Sequence, residues 1–376
     1  MYEIMTPGPT EVAENVRMAR SLPCTNPDLD LDFYEYYRET CQLISRLVGT
    51  KGESLILGGE GILGLEAACA TLTEPGDRVL VVDNGVFGRG FQDFVKMYGG
   101  EAVLYTTDYR KPVDPAGLEK FLEKDHEFKY ATVVHCDTPS GMLNDVAALC
   151  PLLKRYGILT VVDSVSAMFG NPLEMDKSGI DLLCGGSQKA VSAPPGLTFV
   201  SISQDARAAM DGRKTPVASF YANLKAFDGW YEKKWFPYTM PISDIYGLRT
   251  ALENLERDEQ RLRRHHKIAE AVRRALVDSG LGLHLEAGFS DTVSVFDVPQ
   301  GLTAGEILDT VRRDYGILLA GSFDVLEGQV IRIGHMGNNA WEEKVCRVME
   351  ALDGAFSKLG YPLKVSLRDT YLRGLS

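Results

Sequence analysis

The chain has 376 residues, 45% of them hydrophobic and 24% charged, with 40 lysines and arginines against 52 aspartates and glutamates. A net charge of -12 repels phosphate backbones and anionic lipid surfaces, which argues against nucleic acid and membrane as partners. No run of about 18 apolar residues occurs, and no basic segment precedes an apolar one at the N-terminus, so the expected location is the cytoplasm.

This length exceeds what one hydrophobic core supports and predicts two lobes around a cleft. The seven cysteines are scattered, odd in number and never arranged as paired CxxC motifs. They are expected to be small buried hydrophobes in a reducing compartment, with no metal site.

In chain order, the proline-spaced start ending in "TPGPT" cannot be helical and predicts an extended arm, residues 1–16, lying over another part of the molecule. Helical spacing follows from Leu31 to Val48. Then come seven short β-rich runs: "SLIL" (54–57), "RVLVVD" (78–83), "AVLYTT" (102–107), "ATVVHC" (131–136), "LTVVDS" (159–164), "DLLCGG" (181–186) and "LTFVSIS" (197–203). Amphipathic helical stretches separate most of them, which predicts an α/β fold with a mostly parallel seven-stranded sheet covered on both faces. Ligands then belong at the carboxyl ends of the strands. From Pro241 to Gly280 the pattern is helical and charged, and the basic run Arg261–Lys267 reads as a solvated helix face. Short strands "TVSVFDV", "GILLAG" and "VIRIGH" then alternate with helices at Thr303–Tyr315 and Asn339–Leu359. The predicted division is a large domain over 17–258 and a smaller α+β domain over 259–376.

Three places carry chemistry. In "GGEGILGLEA", Gly59, Gly61 and Gly64 satisfy GxGxxG between a strand and a helix, and Asp83 ends the next strand. A nicotinamide-dependent oxidoreductase is therefore one reading, although a glycine-opened helix start attracts any phosphate. Asp163 and Lys189 each follow a strand and reach the same sheet edge, and an acid and a lysine converging there suit pyridoxal phosphate (PLP) chemistry. The lysine would hold the aldehyde as a Schiff base while the acid keeps the pyridine nitrogen protonated. Alternation places Arg332 opposite Ile331 and Ile333 on one strand, where its guanidinium could grip a carboxylate. His335 reads as a structural histidine.

These pieces, with "NGVFGRGF", "HCDTPSGMLN", "VVDSVSAMFGNPLEMDKSGIDLLCGGSQKAVSAPPGL" and "IRIGHMGNNA", resemble the class V aminotransferases of PLP fold type I, in the alanine:glyoxylate and serine:pyruvate group. The resemblance implies amino transfer from a small amino acid such as alanine or serine to a 2-oxo acid such as glyoxylate or pyruvate, by a homodimer with shared sites. Carried over, Lys189 is the Schiff-base lysine, Asp163 the partner of the ring nitrogen, Phe87 the stacking ring and Thr138 a hydroxyl near the ring oxygen. Glu60, Gly61, Ile62 and Gln188 fall at the cofactor phosphate, Tyr238 and Thr239 reach a second subunit's phosphate, and Arg332 with Gly8 meets the substrate. Two positions depart from the family. Glu60 replaces a small hydroxyl residue, so that either it points away and the Gly61 and Ile62 amides hold the phosphate, or it serves the substrate end. Phe236 stands where a tyrosine is common, with Tyr238 nearby. A lyase or desulfurase of the same fold is the second reading; such relatives carry a histidine before the lysine and a late-loop cysteine, where this chain has Gln188 and the cysteine-free "AGSFDVLEG".

Overall fold

The computed structural model describes residues 2–375. All seven β-rich runs enter one sheet, as β1 Glu53–Gly58, β2 Arg78–Asp83, β3 Glu101–Thr106, β4 Tyr130–Val134, β5 Leu159–Asp163, β6 Leu182–Gly186 and β7 Leu197–Ile202. Their order is β1-β7-β6-β5-β4-β2-β3. β7 runs antiparallel to both neighbours and every other pairing is parallel. Every residue of β4 and β6 is buried, because helices cover both faces of the sheet; the edge strand β3 is half-exposed.

This topology brings the carboxyl ends of β1, β2, β4, β5 and β6 to one edge, together with the chain entering the reversed β7. Glu60, Asp137, Asp163 and Lys189 are therefore neighbours although they come from four separate strand ends.

The helical stretch after Pro241 is two helices, Ile242–Arg257 and Arg261–Asp278. The basic run opening the second is only partly the solvated face expected of it. Arg263, His266 and Lys267 are exposed, but His265 is buried, with Nδ1 at 2.6 Å from the Arg261 carbonyl and Nε2 accepting the Gly337 N–H at 2.9 Å. Arg264 covers the Trp341 ring at 4.1 Å. A tertiary neighbour, invisible in the local charge pattern, claims one side of this helix.

In the C-terminal part, β8 Val293–Asp297 and β9 Val330–Gly334 form an antiparallel pair. A second apolar cluster forms around it, separate from that of the large sheet, including Ile268, Val311, Ile331, Ile333, Leu352 and Phe356. The "GILLAG" run yields only Ile317–Leu318, paired in parallel with Glu3–Ile4 of the arm. Met5 is buried in the same cluster. Helix Leu367–Leu375 seals it with Leu367 and Tyr371, which share one face at i, i+4. From there the arm crosses to the large sheet, where the Thr10 N–H donates to the Gln188 carbonyl (3.0 Å) and Thr10 Oγ1 to that of Lys189 (3.0 Å). The segment covered by the arm is thus the lysine loop itself.

Candidate active site

At the carboxyl edge of the sheet lies a cavity of about 380 Å³, lined by Gly8, Glu60, Gly61, Ile62, Phe87, Thr138, Asp163, Gln188 and Lys189, and also by Cys136, Val165, Ser166 and Pro195. Lys189 enters between the arm and the sheet and donates from Nζ to the Pro7 carbonyl at 2.6 Å. Gly8 makes this possible. Its φ is +103°, and a Cβ there would lie 2.4 Å from Lys189 Cδ and 2.8 Å from Nζ. Burial, and then the nearby Arg332 charge, lower the lysine pKa to about 8, so about a tenth of it is neutral at pH 7, far more than for a free lysine.

Asp163 ends β5 and is 5% exposed. One oxygen accepts the Val165 N–H at 2.9 Å, and the other has no hydrogen-bond partner among the described residues. Burial raises its pKa to about 7, against the Val165 hydrogen bond and the Lys189 charge, with Asp137 and Glu60 adding repulsion. Desolvation thus outweighs the attraction between lysine and aspartate in both groups. A buried carboxylate with one free oxygen calls for a cationic or N–H partner from a ligand.

Phe87, second residue of helix Val86–Met97, supplies an aromatic surface, fixed by its own N–H on Asp137 Oδ1 (3.0 Å) and by edge-on contact with Phe323. Thr138 lines the wall next to it. Arg332 is 9% exposed, donates from Nε to the Gly321 carbonyl (2.5 Å) and from Nη1 to the Thr138 carbonyl (3.4 Å), and makes no ion pair among the described residues. Burial lowers its pKa to about 10. A buried guanidinium with spare donors and no carboxylate is a receptor for an external one. Ile331 and Ile333 are fully buried on the opposite face, as strand alternation requires.

These groups fit a pyridine aldehyde: an amine poised to react, an acid for the ring nitrogen and an aromatic flank. The phosphate end does not fit in the same way. Glu60 does not point away; it caps helix Gly61–Leu72, with Oε1 accepting the Ile62 N–H (3.0 Å) and Oε2 accepting from Gln188 Nε2 (3.0 Å). An amide that would serve a phosphate is therefore already engaged.

Tyr238 and Thr239 are outside the cavity wall of this chain. Tyr238 stacks on Tyr221 at 4.5 Å with its hydroxyl buried and unpartnered, and Thr239 is exposed. Phe236 is a core residue, stacked on Tyr34 at 4.7 Å and on Trp230 at 5.4 Å. His335 is structural, bonded to Ser294 Oγ (2.8 Å) and the Asp291 carbonyl (3.1 Å). Asp83 is fully buried and held by Thr106 and Tyr109, so no acid is left for a dinucleotide ribose. The glycine at 64 instead serves packing, since a Cβ there would lie 2.3 Å from Thr198 Oγ1. Sequence reasoning missed the Pro7 carbonyl, Cys136 and Phe323, whose roles come from chain crossings that leave no local pattern.

The fold and the lysine–aspartate pair define a fold type I PLP-dependent transferase. Residues 23–288 match the family model for aminotransferase class-V, and the chain belongs to that family, in its alanine:glyoxylate and serine:pyruvate group. It is 32% identical over 360 residues to an alanine–glyoxylate aminotransferase of Callithrix jacchus, covering 93% of this chain and 86% of that one. It is 31% identical over 343 residues to a pyridoxamine–pyruvate transaminase of Mesorhizobium japonicum, covering 90% and 87%. The crystal structure of a ureidoglycine–glyoxylate aminotransferase from Bacillus subtilis superposes with a TM-score of 0.95 at 25% identity, covering 100% of this chain and 98% of that one. The chain is thus an aminotransferase acting on a 2-oxo acid; the elimination and nicotinamide readings are not favoured. No described helix is long and apolar enough to cross a membrane.

Proposed function

We propose that this enzyme moves an amino group between a small amino acid, such as alanine or serine, and glyoxylate or pyruvate, with Lys189 as the amine that engages a pyridoxal aldehyde. The observation carrying this reading is a buried lysine of lowered pKa flanked by a buried aspartate with a free oxygen and by an arginine without a carboxylate partner. Pyridoxal, when bound, supplies an electron-accepting ring. Asp163 holds a proton on the ring nitrogen, Arg332 orients the substrate carboxylate, and Lys189 Nζ takes the proton from the substrate Cα. The cover of arm and Phe87 limits the water that could intercept the reaction.

The site is completed by a second copy of the chain. The exposed Thr239, away from this chain's own cavity, supports a homodimer in which it serves the neighbouring site, with Tyr238 beside it. The two apolar clusters support an arm over 1–16, a large domain over 17–258 and a small domain over 259–376. Seven free thiols, five of them buried, support the cytoplasm.

The test is to add a pyridoxal compound to the full chain, reduce with borohydride and map the adduct by peptide mass. The reading requires the adduct on Lys189 and, before reduction, loss of the imine absorbance on adding a small amino acid; an adduct on another lysine, or none, refutes it.

A further inference from the structure

Resting on the reading above, the unusual end of the cavity specifies which form of vitamin B6 is used. Glu60 fills the N-terminus of helix Gly61–Leu72 with its own carboxylate and takes the Ile62 N–H. Gln188 gives its amide N–H to the second Glu60 oxygen, which leaves Gln188 Oε1 packed toward Gly186, buried and without a hydrogen-bond partner among the described residues. Flipping that amide would press two acceptors together, so the orientation is fixed. The other helix start at this cavity is closed too, because the Phe87 N–H is given to the buried Asp137. Among the described residues that line this cavity Lys189 is the one cation, Arg332 lying outside the lining, and an imine there removes its role as an ammonium donor. A phosphate ester carries about two negative charges and only acceptor oxygens. At this end it would meet the Glu60 carboxylate, with the Ile62 and Phe87 amides already engaged. A hydroxymethyl group, by contrast, has one O–H to give and no charge.

We propose that the site takes the phosphate-free pair, pyridoxamine and pyridoxal, with the free hydroxymethyl donating to the Glu60 carboxylate. Without a phosphate anchor the amine form is held by no covalent bond and by no charge beyond that of Asp163 at the ring nitrogen, so it exchanges with solution and is a reactant. Pyridoxamine and a 2-oxo acid give pyridoxal and an amino acid. The nitrogen and two electrons pass from the pyridoxamine methylene carbon to the oxo carbon. The methylene is thereby oxidised to an aldehyde and the oxo carbon reduced to the amino-acid Cα. The carbonyl oxygen passes the other way through water, and Lys189 relays the proton.

The experiment titrates the full chain, stripped with hydroxylamine, with pyridoxal and with pyridoxal 5'-phosphate, reading imine absorbance and the mass of the borohydride-reduced Lys189 peptide. Pyridoxal is expected to half-saturate at a concentration at least about tenfold lower. Glu60→Ser keeps a helix-capping oxygen and removes the charge, and Glu60→Gln keeps the size; either should shift the ratio about tenfold or more toward the phosphate ester. Pyridoxamine with pyruvate should turn over many times per enzyme. Equal or tighter binding of the phosphate ester by the wild type, or a ratio unchanged in both variants, overturns the proposal while leaving amino transfer standing. Adducts with neither compound would instead refute the proposed function and this inference with it.

Discussion

The two ends of the cavity obey opposite logic. At the Asp163–Lys189 end, burial leaves ionisable groups short of partners, with an acid pushed up to about 7, an amine pulled down to about 8 and an arginine lacking a carboxylate. At the Glu60–Gln188 end the protein supplies the anion itself, and the helix start is closed by its own first side chain. The difference teaches that a reactive site is marked by ionisable groups short of partners, whereas a helix start closed by the chain's own carboxylate marks where selectivity is set.

The contrast can be broken most sharply at the lysine. Lys189→Ala should lower amino transfer by roughly 10³-fold or more, since it removes both the covalent amine and the proton carrier; a variant retaining a tenth of the activity would show that another base does the work. In the wild type, the rate of adduct formation with pyridoxal should rise as pH increases through about 8, because only the neutral amine attacks.

Asp163→Asn comes next, with an expected loss in kcat of about 10²-fold accompanied by a gain in stability of the ligand-free protein. The folded-state pKa of Asp163 is above its unfolded value, so its contribution to stability is fully present below about pH 4 and lost as pH rises through about 7. Removing the charge should therefore stabilise the ligand-free protein more at pH 8 than at pH 5, by a few kcal/mol at the higher pH, since each pKa unit is worth about 1.4 kcal/mol, read as a higher thermal midpoint. An unchanged midpoint at both pH values would mean the carboxylate is not strained.

Arg332→Gln should raise KM for the 2-oxo acid about 10- to 100-fold with a smaller effect on kcat, the loss of a charged hydrogen-bonded pair being about 1.5–3 kcal/mol. If KM holds, the buried guanidinium serves the 320–323 loop and not the substrate. Gly8→Ala is the mildest change, pushing a methyl into Lys189 Cδ; kcat should fall by about tenfold as the amine is displaced, with near-UV circular dichroism unchanged. No fall would show that the arm yields.

Much of this was legible without a structure because it depends on short-range pattern. Each of the seven β-rich runs became a sheet strand, since continuous Val, Leu and Ile with flanking turn residues leaves few alternatives. Asp163 and Lys189 could be paired because both directly follow strands, and parallel topology forces such ends together. What the pattern could not give was anything decided by a crossing of distant segments. His265 became buried because Gly337 lies against it and donates to its ring, while Arg264 covers Trp341. "GILLAG" shrank to two paired residues because its partner is the N-terminal arm. Phe236 took a core role through Tyr34 and Trp230.

By itself the sequence determined the element types, the sheet edge that carries the chemistry and the residue types on it, because strand and helix periodicity act within a few residues. Only the tertiary structure decided how hard each side chain is desolvated, that the arm lies on Lys189, and that Glu60 turns back onto its own helix to meet Gln188. Those outcomes depend on three-dimensional proximity between residues more than a hundred positions apart, and hydration and hydrogen bonding respond to that proximity alone.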